Sequence, residues 1–286
     1  MSAFALKLLA LASMAVDHLG VALDPVMDAS LLRGIGRMAF PIYVFFLAEG
    51  CRRTRNIANY CLRLVMFAFI SEVPYDLFAG NIHRGYGLVN FQYVDFSSQN
   101  VFFTLALGAL AIIIAQKIKR GPMAFIVPLA VASTIAVGEL VKSDYGAAGV
   151  LFIFLVWAVG PKSLDNPQDG WLNAGRLRQA GVLVALSLYF YIWKFLNTKF
   201  LQQVLFTPEN ITFLSRMKQL VTVTLRSVSQ YSLLLFVFGC IPALLILFYN
   251  GKKGPSLKWA FYVFYPFHQL VYAALWLFAI QPGIWP

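Results

Sequence analysis

Long apolar segments, separated by short polar connections, repeat along the whole chain. Each segment is about 17 to 25 residues long, which is the length that an α-helix needs to cross the hydrocarbon core of a bilayer. Nine such segments are predicted, at residues 4–23, 31–50, 57–78, 100–116, 122–141, 145–160, 180–196, 231–249 and 258–280. The pattern therefore predicts an all-α, polytopic integral membrane protein with about nine transmembrane helices in one bundle.

The composition supports a chain that lies mostly in lipid. Of 286 residues, 60% are hydrophobic and 12% are charged, and the mean hydropathy is +0.71. Soluble domains contain about 25% charged residues. The three cysteines, Cys51, Cys61 and Cys240, have no metal-binding spacing, and an odd, scattered set argues against a disulfide framework. No soluble segment is appended, so residues 1–286 are predicted to form a single transmembrane domain without a metal site.

Basic residues concentrate in alternate connections between the predicted spans. Each connection after an even-numbered span carries three of them. The groups are, after span two, Arg52, Arg53 and Arg55; after span four, Lys117, Lys119 and Arg120; after span six, Lys162, Arg176 and Arg178; and after span eight, Lys252, Lys253 and Lys258. Because cytoplasmic loops of membrane proteins are enriched in lysine and arginine, the N-terminus is predicted to be cytoplasmic and the C-terminus external. The same rule explains the net charge of +11 without a nucleic-acid partner.

Residues 207–228 are the segment whose placement the pattern leaves open. Thr207 and Pro208 are typical of a helix start, with an N-cap followed by proline at the first position. Apolar residues follow at helical spacing, but Arg216, Lys218 and Arg226 interrupt them. This favours an amphipathic helix in the membrane interface over a tenth span. A tenth span would place the C-terminus in the cytoplasm instead.

Ionisable side chains occur inside several of the apolar segments, where they are rare. At a rise of about 1.5 Å per residue, the predicted spans carry five of them to the middle and outer half of the bundle, namely Asp17, His18, Arg37, Glu72 and His268. Asn100 reaches the same region from span four. Such residues usually mark a substrate or ion pathway, because each is costly to bury in a membrane. The alternative is an ion pair between Asp17 and Arg37 that joins the first two spans.

A second polar cluster is predicted at the cytoplasmic mouth of the bundle. Glu49, Arg52, Arg53 and Arg55 end the second span, and Arg63 lies about two turns into the third. Arginine forms strong bidentate hydrogen bonds with phosphate, so this cluster suits a phosphate-rich ligand that arrives from the cytosol. The enrichment of cytoplasmic loops in arginine explains Arg52 and Arg55 but not the deeper Arg63.

These residues lie in segments that resemble the TraX family, whose namesake is a membrane N-acetyltransferase that caps the N-terminus of conjugative pilin. The segments are KLLALASMAVDHLG at 7–20, RGIGRMAFPIYVFFLAEG at 33–50, RNIANYCLRLVMFAFISEVPYDLF at 55–78, QNVFFTLALG at 99–108, SDYGAAGVL at 143–151 and FYVFYPFHQLV at 261–271. Four family elements match Asp17-His18, Gly36-Arg37-Met38-Ala39-Phe40-Pro41, Ser71-Glu72-Val73-Pro74 and Tyr265-Pro266-Phe267-His268. Residues 162–257 carry no family motif.

The resemblance implies an acetyl-CoA-dependent acyltransferase, which we expect in a bacterial inner membrane, with a cytosolic donor and an acceptor from the other side. Acetylation of an amine needs a base and hydrogen-bond donors for the developing oxyanion. We predict His18 as the base, with His268 as the alternative, because burial keeps an imidazole neutral and able to accept a proton. Arg37 and Asn100 are predicted to stabilise the oxyanion or to position the acceptor. Asp17 or Glu72 would orient an imidazole. The CoA phosphates would be bound by Arg52, Arg53 and Arg63.

Three other functions are compatible with the sequence. A proton-coupled small-molecule transporter also buries carboxylates and histidines, although it usually shows internal repeats, which we do not find in this chain. An O-acyltransferase acting on a glycan or a lipid headgroup would need the same base and donor site. A structural membrane partner of pili or secretion machinery would need neither. The acceptor stays open between a pilin-like N-terminus, another exported peptide, an amino sugar and a small amine.

Overall fold

The computed structural model describes residues 1–81, 91–94, 97–118, 124–161, 173–196 and 231–280. In these ranges the regular structure is helical, and the β contact is an isolated bridge between Gln99 and Ser143. The α-helices are α1 (Ala3–Leu23), α2 (Ser30–Gly36), α3 (Ala39–Arg53), α4 (Ile57–Tyr75), α5 (Val101–Ile118), α6 (Val127–Leu140), α7 (Gly146–Val159), α8 (Ala174–Leu196), α9 (Tyr231–Leu247) and α10 (Lys258–Leu275). Short 3₁₀ turns lie at Phe91–Tyr93 and Ala124–Ile126, and π-helical turns at Asp76–Gly80 and Trp276–Ile280 extend α4 and α10.

The helices correspond closely to the predicted segments. The second predicted span consists of α2 and α3 together, which are separated at Arg37 and Met38, and each other span corresponds to one helix. Three helical stretches of the described residues are long and apolar enough to cross a membrane, at Ala3–Leu23, Ser30–Arg53 and Val101–Ile118. The prediction of an all-α protein with membrane helices is therefore confirmed, and the number of nine crossings stays a prediction.

Polar side chains define where three of the helices begin. Ser2, Asn56 and Asn173 each accept a hydrogen bond from the backbone N–H three residues later, at 3.2, 2.9 and 2.9 Å. Such N-caps satisfy backbone donors that the first turn of a helix leaves without a partner. The short polar sequences between the apolar segments therefore fix the starts of these helices.

Helix α3 lies at the centre of the bundle. Eleven of its 15 residues are buried, and Ile42 and Phe45 are fully enclosed. It packs against α1, α5, α7 and α9, whereas α6 lies on the outer side of α5 and α7. Helix α10 packs between α1 and α4. The first and last parts of the chain therefore form one wall of the bundle.

The start of α1 lies against the connection between α9 and α10. The Ala3 N–H donates to the Lys252 carbonyl at 2.9 Å, and the Arg53 guanidinium donates to the Gly251 carbonyl at 3.3 Å. The same end of the bundle, which we call the basic end, also collects Arg52, Arg176, Arg178 and Lys253. Basic residues of alternate connections thus share one end, as their spacing predicts, and the compartment that this end faces stays a prediction.

Helices α8 and α9 run antiparallel beside each other. Arg176, near the start of α8, donates to the carbonyl of Tyr249, just after α9, and the rings of Tyr191 and Phe236 lie 5.8 Å apart near the opposite ends. Helix α8 therefore ends, and α9 begins, at the end of the bundle opposite the basic end, which we call the far end. The predicted interfacial helix at 207–228 lies outside the described residues, so it stays a prediction, as does the single domain.

Close packing of α5 against α7 gives the first testable prediction. A Cβ at Gly108 would lie 2.6 Å from Cγ2 and 2.9 Å from Cβ of the fully buried Ile153. We expect Gly108→Ala to lower the free energy of unfolding by about 1–3 kcal/mol, because overpacking forces these helices apart. The measurement is the midpoint of thermal unfolding in detergent.

Gly181 of α8 provides the matched control, because a Cβ there would meet no atom within 4 Å. Gly181→Ala is expected to leave the midpoint unchanged or to raise it slightly, since alanine is the better helix former. Equal midpoints for the two variants would contradict the proposed contact between α5 and α7.

Candidate active site

His18 of α1 and His268 of α10 form a buried pair. The Nδ1 atom of His18 lies 2.6 Å from the Nε2 atom of His268. The rings are nearly parallel, with an interplanar angle of 3° and centroids 4.7 Å apart. The rings cannot be stacked face to face, because atoms in stacked rings are separated by about 3.5 Å or more. They therefore lie edge to edge in one plane, which is the geometry of an N–H···N hydrogen bond.

The contacts of His268 define which nitrogen of each neutral ring carries the proton. Its Nδ1 atom lies 2.8 Å from the carbonyl oxygen of Phe264. A carbonyl only accepts hydrogen bonds, so His268 carries its proton on Nδ1 and a lone pair on Nε2. His18 must then donate to this lone pair through its own Nδ1–H. The basic nitrogen of the pair is therefore Nε2 of His18.

Aromatic residues surround the histidine pair at the far end. The ring of the fully buried Phe78 meets the ring of His18 edge-on, with centroids 6.0 Å apart. The Tyr272 hydroxyl donates to the Ala15 carbonyl at 2.9 Å and so holds α10 against α1. Phe78 belongs to an apolar cluster that we call the far-end plug, which comprises Val21, Ala22, Tyr75, Leu77, Phe78, Ala79, Ala273 and Trp276.

Asp17 forms an ion pair with Arg33, at 3.1 Å between the carboxylate and the guanidinium. The sequence suggested Arg37 as the partner in a structural ion pair of Asp17, and the structure gives Arg33 as a partner. The pair instead joins α1 to α2, where Gly36 lies so close to Asp17 that a Cβ would be 2.2 Å from its side chain. Asp17 is thus directed towards α2 and not towards the neighbouring imidazole.

Arg37 lies where α2 meets α3. Its positive charge attracts the carboxyl group of Asp144, which lies in the turn between α6 and α7. Asp144 is exposed, and Arg37 and Arg33 act on its carboxyl group. Burial raises the pKa of Asp144 to about 6, and the positive charges of Arg37 and Arg33 oppose this rise. Asp17, Arg33, Arg37 and Asp144 form what we call the far-end charge cluster.

Glu72 and Asn100 bind each other. The Asn100 side-chain amide donates one hydrogen bond to the Glu72 carboxylate and another to the Ala68 carbonyl, the latter at 2.7 Å. Its Oδ1 atom accepts the Phe102 N–H at 3.0 Å and so caps α5. These contacts join α4 to the start of α5, and they occupy both amide hydrogens of Asn100.

A cavity of about 440 Å³ lies between α1, α3, α4, α5 and α10. At the basic end it is lined by four basic side chains and one carboxylate, from Lys7, Arg53, Arg63, Lys253 and Glu49. Several aromatic residues line its walls, and it reaches Met14, Val101 and Tyr265. Met14 lies one turn before His18 on α1, and the Tyr265 ring lies 5.8 Å from the His268 ring. The cavity therefore extends from the basic end towards the histidine pair.

The three arginines predicted to bind phosphate have different surroundings. Arg63 lines the cavity, with its guanidinium 5.7 Å from the centre of the Tyr60 ring. Arg53 also lines it and pairs with Glu49 at 3.5 Å. Arg52 instead bonds to Glu49 at 2.9 Å and to the Trp157 carbonyl, so it joins α3 to α7 and is not among the cavity residues.

Sequence reasoning gave no role in the site to three residues of this cavity. Lys7 and Lys253 add positive charge to it, and the Lys7 ammonium lies 5.2 Å from the centre of the Phe46 ring. Tyr265 connects the cavity with the histidines. An available signal was the isolated lysine in the first apolar segment, because a charge at that position needs either a ligand or an aromatic partner.

Comparison with known proteins identifies relatives of this chain. The sequence matches the family model described as TraX protein over residues 2–276. This range includes residues 162–257, where no family motif is recognisable. The chain is also 26% identical over 283 residues to a protein of Dichelobacter nodosus described as "Probable fimbrial assembly protein FimC, serogroup H1", and the match covers 93% of this chain and 92% of the relative. No solved structure matches the chain.

The hydrogen bonds of the histidine pair predict an unusual protonation pattern. When both rings are uncharged, His18 and His268 should each carry a proton on Nδ1, because the Phe264 carbonyl and the N–H···N bond fix this tautomer. Nitrogen-15 NMR of histidine-labelled protein measures the tautomer directly. The variants His18→Ala and His268→Ala assign the signals, and a proton on Nε2 of His268 would contradict the arrangement.

Proposed function

The chain belongs to the TraX family, and we propose that it is a membrane-embedded acyltransferase that moves an acetyl group from cytosolic acetyl-CoA to an amine acceptor. The observation that carries this proposal is the cavity, which begins among basic side chains and ends beside a histidine pair with a defined basic nitrogen. A relative described as a probable fimbrial assembly protein favours an exported peptide with a free N-terminus as the acceptor.

The basic end of the cavity suits the charged part of the donor. Lys7, Arg53, Arg63 and Lys253 offer positive charge to the phosphates of CoA, against the single carboxylate of Glu49. The aromatic walls suit the less polar pantetheine arm, which would carry the thioester towards Tyr265. Acetyl-CoA would then enter from the basic end, and this end would face the cytoplasm.

The histidine pair suits the proton transfer. The acceptor nitrogen forms a bond to the thioester carbon, and the carbonyl electron pair moves to oxygen. Nε2 of His18 takes a proton from the acceptor nitrogen, while Nδ1–H keeps its hydrogen bond to His268. The electron pair on oxygen then re-forms the carbonyl group, and the carbon–sulfur bond breaks. The sulfur leaves with the electrons of that bond and receives the proton from His18. The products are an amide and free CoA.

The acceptor would enter from the far end. The far-end charge cluster lies near the histidines, because Asp17 directly precedes His18 and Asp144 acts on the Tyr265 hydroxyl. Its carboxylates and guanidinium groups offer partners to the polar ends of a peptide. Donor and acceptor would thus meet at the histidine pair from opposite ends of the bundle.

The direct test uses purified protein in detergent with acetyl-CoA and a synthetic peptide that has a free α-amino group. An acyltransferase releases free CoA and adds an acetyl group to the peptide, which mass spectrometry detects. A peptide with a blocked N-terminus is the first control and should not be acetylated. A glycan acceptor is the second, because hydroxylamine cleaves an ester product and leaves an amide intact. A protein that neither binds acetyl-CoA nor releases CoA would contradict the proposal and favour a transporter or a structural role.

His18→Ala should lower the turnover number by about 10²–10⁴-fold, because it removes the base. Binding of acetyl-CoA, measured by calorimetry, should change little, since His18 is not among the residues that line the cavity. Full activity of this variant would exclude His18 as the base and leave His268 as the remaining predicted base.

Arg63→Ala should raise KM for acetyl-CoA about tenfold or more with a smaller effect on turnover, because it removes one charged partner of a phosphate. Arg55→Ala is the matched control, since Arg55 belongs to the same basic segment, is exposed and is not among the cavity residues. An equal KM for both variants would contradict phosphate binding by Arg63 and would indicate a structural role for it.

A further inference from the structure

We propose that Tyr265 is a catalytic residue of this transfer, and that its hydroxyl group donates a hydrogen bond to the thioester oxygen as negative charge develops there. This inference rests on the proposed function and extends it to the stabilisation of the oxyanion. Arg37 and Asn100 are the residues that the sequence suggests for this role, and the geometry favours Tyr265 over both.

Tyr265 lies where the cavity meets the histidine pair. It lines the inner part of the cavity, and its ring centroid is 6.3 Å from that of His18 and 5.8 Å from that of His268. A thioester carbonyl at this end of the cavity would therefore be close to both the base and the phenolic hydroxyl. A base and an oxyanion donor around one carbonyl carbon are the two groups that acyl transfer needs.

Packing holds the Tyr265 ring in one orientation. The residue is only 4% exposed, and its ring meets the Phe102 ring edge-on, with centroids 5.2 Å apart and an angle of 88°. A hydrogen-bond donor that is already oriented needs no rearrangement when the charge develops, and this is the main advantage of an oxyanion hole.

The start of α5 strengthens the Tyr265 hydroxyl as a donor. The hydroxyl oxygen accepts a hydrogen bond from the backbone N–H of Val101, the first residue of α5, and the side chain of Gln269 is its second partner. The Gln269 amide can donate to the same oxygen, so that the phenolic proton stays available to a ligand. The N-terminus of a helix carries partial positive charge, which polarises the hydroxyl and favours an anion beside it. Val101 lines the cavity at the same place.

The other two candidates are committed elsewhere. Both hydrogens of the Asn100 amide are donated, one to Glu72 and one to the Ala68 carbonyl, so the amide has none for a ligand. Arg37 belongs to the far-end charge cluster, where its positive charge acts on the carboxyl group of Asp144. Tyr265 is thus the one of the three candidates that lines the cavity at the end where the carbonyl would lie.

The test compares Tyr265→Phe with Tyr262→Phe, since each removes one hydroxyl from a tyrosine that lines the cavity. Tyr262 lies nearly one turn closer to the basic end and bonds to Arg63. Tyr262→Phe is therefore expected to weaken acetyl-CoA binding without changing the carbonyl, and it serves as a contrast to Tyr265→Phe. Turnover with the peptide acceptor is measured together with the infrared carbonyl stretch of bound acetyl-CoA labelled with carbon-13 at the thioester carbonyl.

We expect Tyr265→Phe to lower turnover by about 10²–10³-fold at nearly unchanged acetyl-CoA affinity. In the unaltered protein the carbonyl stretch should fall on binding, and this shift should be absent in Tyr265→Phe and retained in Tyr262→Phe. A purely structural tyrosine would leave the shift in place. Full turnover or an unchanged shift in Tyr265→Phe would overturn the inference while leaving the proposed function intact, whereas a protein that does not bind acetyl-CoA would overturn both.

Discussion

The hydrogen bond between His18 and His268 is the interaction on which the candidate site depends. It joins the first helix to the last described helix across 250 residues of sequence. In a low-dielectric interior, an imidazole without partners is costly, so the two rings and the Phe264 carbonyl must satisfy one another. This requirement fixes the tautomers, directs one basic nitrogen away from the pair and places α1 beside α10. The cavity between α10 and α3 follows from that placement.

The fold was largely predictable, because the length and apolarity of each segment determine a membrane helix independently of its neighbours. The convergence of His18 and His268 also followed from their predicted depths. The partner of Asp17 did not, because depth counting treats the second span as one straight helix. In the structure, the helix breaks at Arg37, which separates α2 from α3, and Arg33 of α2 lies beside Asp17.

Polar residues whose partners are backbone groups were the hardest to interpret. In the sequence, Arg52 and Asn100 look equally suited to binding a ligand and to chemistry, yet in the structure each bonds to backbone groups of a neighbouring helix or of its own helix start. The sequence does not specify which carbonyls a bundle leaves exposed, so it could not separate these residues from Arg63. The reverse holds for Tyr265, whose importance arises from the cavity that ends beside it and not from any charge.

The far-end plug has a consequence for the permeability barrier of the membrane. Phe78 and Trp276 are fully enclosed, and the Phe78 ring meets the His18 ring edge-on. In the proposed transfer, these rings would narrow the approach from the far end to the side of the far-end charge cluster. A large anionic carrier could then enter at the basic end without opening a wide water path through the bundle, so the proton gradient would be preserved during each cycle.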